Sequence, residues 1–204
     1  EKSITLNSRE LDKMIALANE KHLLLAEAMT IWHMPLYQKL WEIVKSGELG
    51  KVQIITMNFG SFKEYDMKNR FFNMDLAGGA MLDIGVYALS IVRSFMDETP
   101  DDIVSQWKAS QTGSYEQATI LLKNGSGQMA TVALSMHSKQ PKRAMISCEQ
   151  GYIEIMEYPR ADKAVIVDAN TGNVREIACG DTANALYYEM LDMENAVKTG
   201  DASS

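Results

Sequence analysis

The sequence predicts an α+β protein: a mainly antiparallel open sheet with helices on one face, preceded by the βα tail of a parallel-sheet unit. Three observations carry this. From residue 103 onward, short runs rich in Val, Ile, Tyr and Thr follow one another, with Asn124-Gly125-Ser126-Gly127 and Asn170-Thr171-Gly172-Asn173 as hairpin turns between them. Segments with apolar residues at helical spacing precede, interrupt and close this meander. Near the start, a helical segment leads into the continuous apolar run Leu23-Leu24-Leu25-Ala26-Glu27-Ala28, the pattern of a strand buried on both faces.

The elements follow in order. Asn7 caps a helix over 7–21, Glu10 completes a capping box, and Leu11, Met14, Ile15 and Ala18 form its stripe. A strand over 23–28 follows, and a helix feeding a buried parallel strand is the end of a βαβ unit whose other strands are not in this sequence. Pro35 opens a second helix, with Leu36, Leu40, Ile43 and Val44 on one face and Gly47 at its end. Gly50 leads into a strand over 52–59. The polar stretch 61–75 has no period, and its length suggests a functional loop. Gly78-Gly79 opens a third helix, 80 to about 96. Strands are expected over 103–109, 115–122, 128–135, 143–148, 152–156, 163–167 and 174–178, and a last helix over 183–198 stopped by Gly200.

Composition limits the function classes. The chain has 204 residues, 46% of them hydrophobic and 23% charged, with a formal net charge of −7. That is an ordinary globular composition. Nucleic acid is not an expected partner, because phosphates need clustered Lys and Arg, and 139–143 is the longest basic group. No apolar run reads as a membrane span, and no membrane partner is expected. Cys148 and Cys179 read as reduced core thiols, which suits a cytoplasmic setting. No signal peptide is visible. His22, His33 and His137 lie far apart, so no metal site is expected. The phosphate-cradling G-x-G-x-x-G and Walker A motifs and the nucleophile elbow G-x-S-x-G do not occur.

One constellation stands out. In Gly78-Gly79-Ala80-Met81-Leu82-Asp83-Ile84-Gly85-Val86-Tyr87, a carboxylate and a phenol stand four residues apart and share a helix face. Gly85 between them weakens the helix by about 1 kcal/mol relative to alanine, which suggests that something approaches the backbone closely. The residues alone leave two readings open: a reactive pair, or a glycine-rich turn beside an ordinary buried tyrosine.

This stretch resembles the GGxxxDxGxH/Y signature of the Gfo/Idh/MocA oxidoreductases. Glu1-Lys2-Ser3 is similar to that family's EKP motif, with Ser3 in place of proline. Glu27-Ala28-Met29, Pro35 and Ser46-Gly47-Glu48-Leu49-Gly50-Lys51-Val52 resemble its EA…P…GxIGxV stretch, in the same order and at fitting spacing. Tyrosine at position 87 makes the dihydrodiol dehydrogenase and glucose–fructose oxidoreductase branches the nearest comparison. The resemblance implies two parts: residues 1–29 as the end of a dinucleotide-binding Rossmann domain, and 30–204 as an α+β substrate-binding and dimerisation domain lacking its final helix. It implies NAD or NADP, bound mainly by an N-terminal domain outside this sequence, so that the fragment alone is expected to be inactive. It implies hydride transfer between nicotinamide and a carbinol carbon of a sugar, polyol or dihydrodiol, and a homo-oligomer formed through the open sheet face. Lys2, Asp83 and Tyr87 are the implied catalytic residues. Tyr87 would be the acid/base, helped toward phenolate by the Lys2 cation, and Asp83 would orient a substrate hydroxyl. Glu1 and Lys2 would meet the cofactor. Substrate contacts are expected from Arg70, for which a surface salt bridge is an equal alternative, and from Trp32 and His33, which stand where the family usually has an arginine. Two other readings remain: a non-catalytic binding or dimerisation module, and a silent sugar-sensing family member.

Overall fold

The computed structural model describes residues 2–201. Helix α1 (Ser8–Lys21) starts as expected: Asn7 Oδ1 accepts the Glu10 amide at 3.2 Å. The Glu10 carboxylate reaches back to the Leu6 amide, one residue short of the cap itself. None of α1 is buried, so Met14, Ile15 and Leu17 face outward.

The expected strand over 23–28 is not part of any ladder. A strand needs a neighbour to accept its hydrogen bonds, and among the described residues none lies beside it. The segment instead runs past the last helix, with which it forms an apolar groove.

Helix α2 (Pro35–Lys45) begins on its proline and buries Leu36, Tyr37, Leu40 and Ile43. The eight strands are β1 (Val52–Gly60), β2 (Asp102–Ala109), β3 (Tyr115–Lys123), β4 (Met129–Ser135), β5 (Gln140–Cys148), β6 (Gly151–Met156), β7 (Lys163–Asp168) and β8 (Val174–Ala178). They form one open sheet in the order β2-β3-β4-β1-β5-β6-β7-β8. All pairs are antiparallel except β1 with β4, which run parallel from Ile54↔Met129 to Gly60↔Ser135. That pairing follows from the connection. After β1 the chain crosses by a long loop and helix α3 (Val86–Phe95) to the far edge, then meanders back to lie beside β1. Helix α4 (Ala185–Thr199) closes the described chain.

Alternation in the strands sorts side chains between two faces. Ile55 and Met57 of β1, Ala118, Ile120 and Leu122 of β3, Ala144 and Ile146 of β5 and Ile153 and Ile155 of β6 point to the helical side and form the core. Helix α3 lies across β1, β4 and β5, and α2 packs on it through Trp41 and Phe95, with ring centroids 6.3 Å apart. On the opposite face Ile54, Leu121, Met129 and Met156 stay 38–48% exposed. Ile146 is fully buried between Ile55 of β1 and Ile153 of β6. Ile146→Ala should therefore cost about 2–5 kcal/mol, read as a lower urea midpoint at unchanged slope.

Two sequence expectations need adjustment. The segment Met74–Phe95 is long and apolar enough to reach spanning length. It belongs to the core nonetheless, since Ile84, Ala88, Ile91, Val92 and Phe95 are buried against the sheet and helices. The third helix is also not uniform: Met81–Gly85 form a π turn before α3 begins. Cys148 and Cys179 are free and half-buried, and burial, followed by the charge of Glu149, pushes the Cys148 thiol up to about 11.

Candidate active site

The π turn is where the start of the chain meets the middle. Ser3 Oγ donates to the Leu82 carbonyl at 2.9 Å, and Lys2 Nζ donates to the Asp83 carbonyl. Lys2 Nζ also donates to Asp83 Oδ1 at 3.0 Å. A π turn widens the helix and recurs at functional positions; here it presents two successive carbonyls to side-chain donors from residues 2–3. The Lys2 and Asp83 side chains are only 12% and 10% exposed. Taking two charges out of water is costly unless they are paired, so removing Asp83 would leave the Lys2 ammonium without its carboxylate.

Tyr87 lies one turn further, in the first turn of α3. Lys2 Nζ sits 5.1 Å from its ring centroid. One ammonium thus pairs with the Asp83 carboxylate and lies over the Tyr87 ring. The Tyr87 ring is half-buried and lies 6.4 Å from the ring of Phe59, at the end of β1. Gly85 does mark a close approach, but by the protein itself: a Cβ there would stand 3.0 Å from Leu134 Cδ1 of β4.

Arg70 joins from the 61–77 loop. Its Nη2 donates to Asp83 Oδ1 at 3.1 Å and its guanidinium lies 4.8 Å from the Phe71 ring, while its side chain is 58% exposed. Lys2, Arg70 and Asp83 line a polar cavity of about 260 Å³ together with Ser3, Thr5 and Ala77. Trp32 borders a separate open cleft of about 430 Å³ that shares Ser3 and Leu82, and its ring packs 6.1 Å from that of Trp41. His33 is not brought to this cluster. Its Nδ1 lies 2.7 Å from Asp192 Oδ2 of α4, beside the groove formed by the 23–28 segment. Glu1 lies outside the described residues. Among the described residues, no group of three or more His, Cys, Asp or Glu could hold a metal ion.

Sequence reasoning missed a buried acid nearby. Glu116 of β3 is 3% exposed and accepts Tyr65 Oη at 2.7 Å and Lys108 Nζ at 2.5 Å. Burial alone would raise its pKa. The hydrogen bonds from Lys108 and Tyr65, with the charges of Lys108 and His137, outweigh that and hold the carboxyl below its ordinary value. The signal was in the alternation: Glu116 occupies an inward position in step with Ala118, Ile120 and Leu122.

Fold and site together define an α+β domain of the open-sheet class, with a lysine, an aspartate and a tyrosine gathered on its helical side. Residues 37–154 match the GFO/IDH/MocA C-terminal domain, and the chain belongs to this family. Trans-1,2-dihydrobenzene-1,2-diol dehydrogenase of Xenopus laevis is 27% identical over 169 residues, covering 82% of this chain and 51% of that protein. The Mus musculus protein of the same name is 26% identical over 160 residues, covering 77% and 47%. The chain thus spans about half the length of the curated relatives it matches. Among solved structures, KijD10, a 3-ketoreductase from Actinomadura kijaniata in complex with NADP and TDP-benzene, superposes with a TM-score of 0.85 at 17% identity, covering 98% of this chain and 62% of that one. UDP-N-acetylglucosamine 3-dehydrogenase GnnA from Acidithiobacillus ferrooxidans gives 0.79 at 20% identity, covering 98% and 61%. These structural likenesses show the same fold.

Proposed function

We propose that this chain is the substrate-side part of an NAD(P)-dependent oxidoreductase acting on a CH–OH carbon of a sugar, polyol or dihydrodiol. The observation that carries the reading is the single ammonium of Lys2 set against both Asp83 and Tyr87. The family membership and the named activities of the relatives support it. Residues 1–29 are assigned to the end of a dinucleotide-binding domain and 30–204 to the substrate domain. The outward apolar stripe of α1 and the unpaired 23–28 segment fit that division.

The residues fit one end of the cofactor. Lys2, beside the polar cavity, suits the nicotinamide and its ribose. The Gly78 and Gly79 amides are already given to the Asn73 and Phe71 carbonyls, so they are not available to cradle a diphosphate. When bound, the nicotinamide supplies or accepts the hydride. The chain's own groups handle the proton and the geometry. Tyr87 gives its phenolic proton to a substrate carbonyl oxygen, or takes one from the hydroxyl in the reverse direction. Lys2 stabilises the negative charge that develops on oxygen. Asp83 accepts a substrate hydroxyl and fixes the Lys2 ammonium; Arg70 borders the polar cavity, and Trp32 the adjoining cleft, as space for the rest of the substrate. The exposed sheet face bearing Ile54, Leu121, Met129 and Met156 is the proposed homo-oligomer surface. A cytoplasmic setting suits the unpaired thiols.

The test is a substrate panel of sugars, polyols and dihydrodiols with the full-length protein and both nucleotides, followed by nicotinamide absorbance. Turnover with at least one pair is expected. Silence across the panel, with nucleotide bound, would favour the non-catalytic sensing alternative.

A further inference from the structure

We propose that Glu116 is a positioning residue for this site: by holding Tyr65, it fixes the 61–77 loop so that Arg70 and the Gly78–Gly79 turn set Asp83 against Lys2. The inference rests on the assignment of Lys2, Asp83 and Tyr87 to the reacting centre.

The contacts form one continuous path. Glu116 sits among apolar neighbours on the inward side of β3, yet its two carboxylate partners come from the loop and from edge strand β2. Tyr65 Oη donates to the carboxylate and itself accepts the Gln111 amide at 3.2 Å. The Tyr65 ring stacks on Phe72, centroids 4.6 Å apart, and meets His137 edge-on at 4.9 Å. Phe72 is fully buried, and its carbonyl accepts the Thr112 hydroxyl. On either side of Phe72, the Phe71 and Asn73 carbonyls accept the Gly79 and Gly78 amides, each at 2.9 Å. The Gly79 carbonyl then accepts the Asp83 amide at 3.1 Å, and Arg70 from the same loop reaches the Asp83 carboxylate.

A buried carboxylate is kept only where its partners return what desolvation costs. Here one partner, Tyr65, ties down the 61–77 loop, and the other, Lys108, belongs to edge strand β2. Burial, followed by the hydrogen bond to Glu116, keeps the Tyr65 phenol above its ordinary pKa, so it remains a donor.

The test uses the full-length protein with Tyr65→Phe, Glu116→Gln, Glu116→Ala and Arg70→Ala. Tyr65→Phe keeps the stacked ring and removes only the hydroxyl, so it is the variant least able to unfold the domain. Amide hydrogen exchange at Gly78, Gly79 and Asp83 should quicken by about tenfold in Tyr65→Phe, while the interior of β4 is unchanged. The substrate KM should rise by about tenfold, with kcat within about threefold. Glu116→Gln, which retains an acceptor for Tyr65, should recover most of what Glu116→Ala loses. The KM effect of Tyr65→Phe should add nothing on an Arg70→Ala background, because both act through one contact. Unchanged exchange overturns the proposal, as does an unchanged KM or fully additive effects. Absence of turnover in the parent protein counts instead against the oxidoreductase reading, and the exchange measurement then decides the coupling of the loop on its own.

Discussion

Tyr87→Phe in the full-length protein should lower kcat by about 100-fold or more, the loss expected when a positioned acid/base is removed, with nucleotide affinity unchanged. The substitution is well suited to the geometry. Phenylalanine keeps the ring that lies below the Lys2 ammonium and beside Phe59. Packing is therefore preserved, and only the hydroxyl is lost. Steady-state kinetics paired with a fluorescence titration of the nucleotide separates the two effects. A drop in kcat and kcat/KM together, at constant nucleotide affinity, marks a group used in the transition state. Turnover equal to the parent's removes Tyr87 from the chemistry.

Gly79→Ala should have a large effect on folding near the site. Gly79 has φ +115, a conformation that side-chain-bearing residues adopt only with strain, and a Cβ there would stand 2.9 Å from the Tyr115 main-chain nitrogen. The obstacle is backbone held in the β2–β3 ladder, so it cannot rotate aside. Strain and overpacking together should cost about 2–4 kcal/mol. For a domain of this size that lowers Tm by roughly 5–15 °C in a thermal melt. A loss under about 1 °C would mean that the turn relaxes freely and does not set the start of the π turn. Gly85 differs: its obstacle is the end of the Leu134 side chain, which can shift.

The strands of the sheet were legible because alternation and hairpin turns are local signals. The pairs β3–β4 and β7–β8 flank the two turns that announced them. The parallel partnership of β1 and β4 was not legible, since it depends on where a long crossover delivers the chain. The 23–28 run differs: its composition reads as a buried strand, but pairing is a property of two segments, and among the described residues it has no partner. In the site, the spacing of Asp83 and Tyr87 led to the expectation of a shared α-helical face, but Asp83 falls in the π turn, which the spacing did not announce. The arrival of Lys2, 81 positions from Asp83, followed only from family resemblance. Arg70 was left between substrate contact and salt bridge, and it makes the salt bridge, to Asp83 itself. His33 turned to Asp192 because α4 packs where sequence order could not place it. Glu116 could have been found by asking why a carboxylate falls on the inward beat of β3.

The π turn at Met81–Gly85 has a geometric consequence for the helix that contains it. An α-helix rotates by about 100° per residue, and a wider turn rotates by less. The residues before and after it are therefore out of phase on one axis. The leading part can aim Asp83 at Lys2 and Arg70 while the trailing part keeps Ala88, Ile91, Val92 and Phe95 pointed inward. Deleting one residue from the wide turn would restore a uniform spiral, and the two halves of that helix would no longer be free to look in different directions.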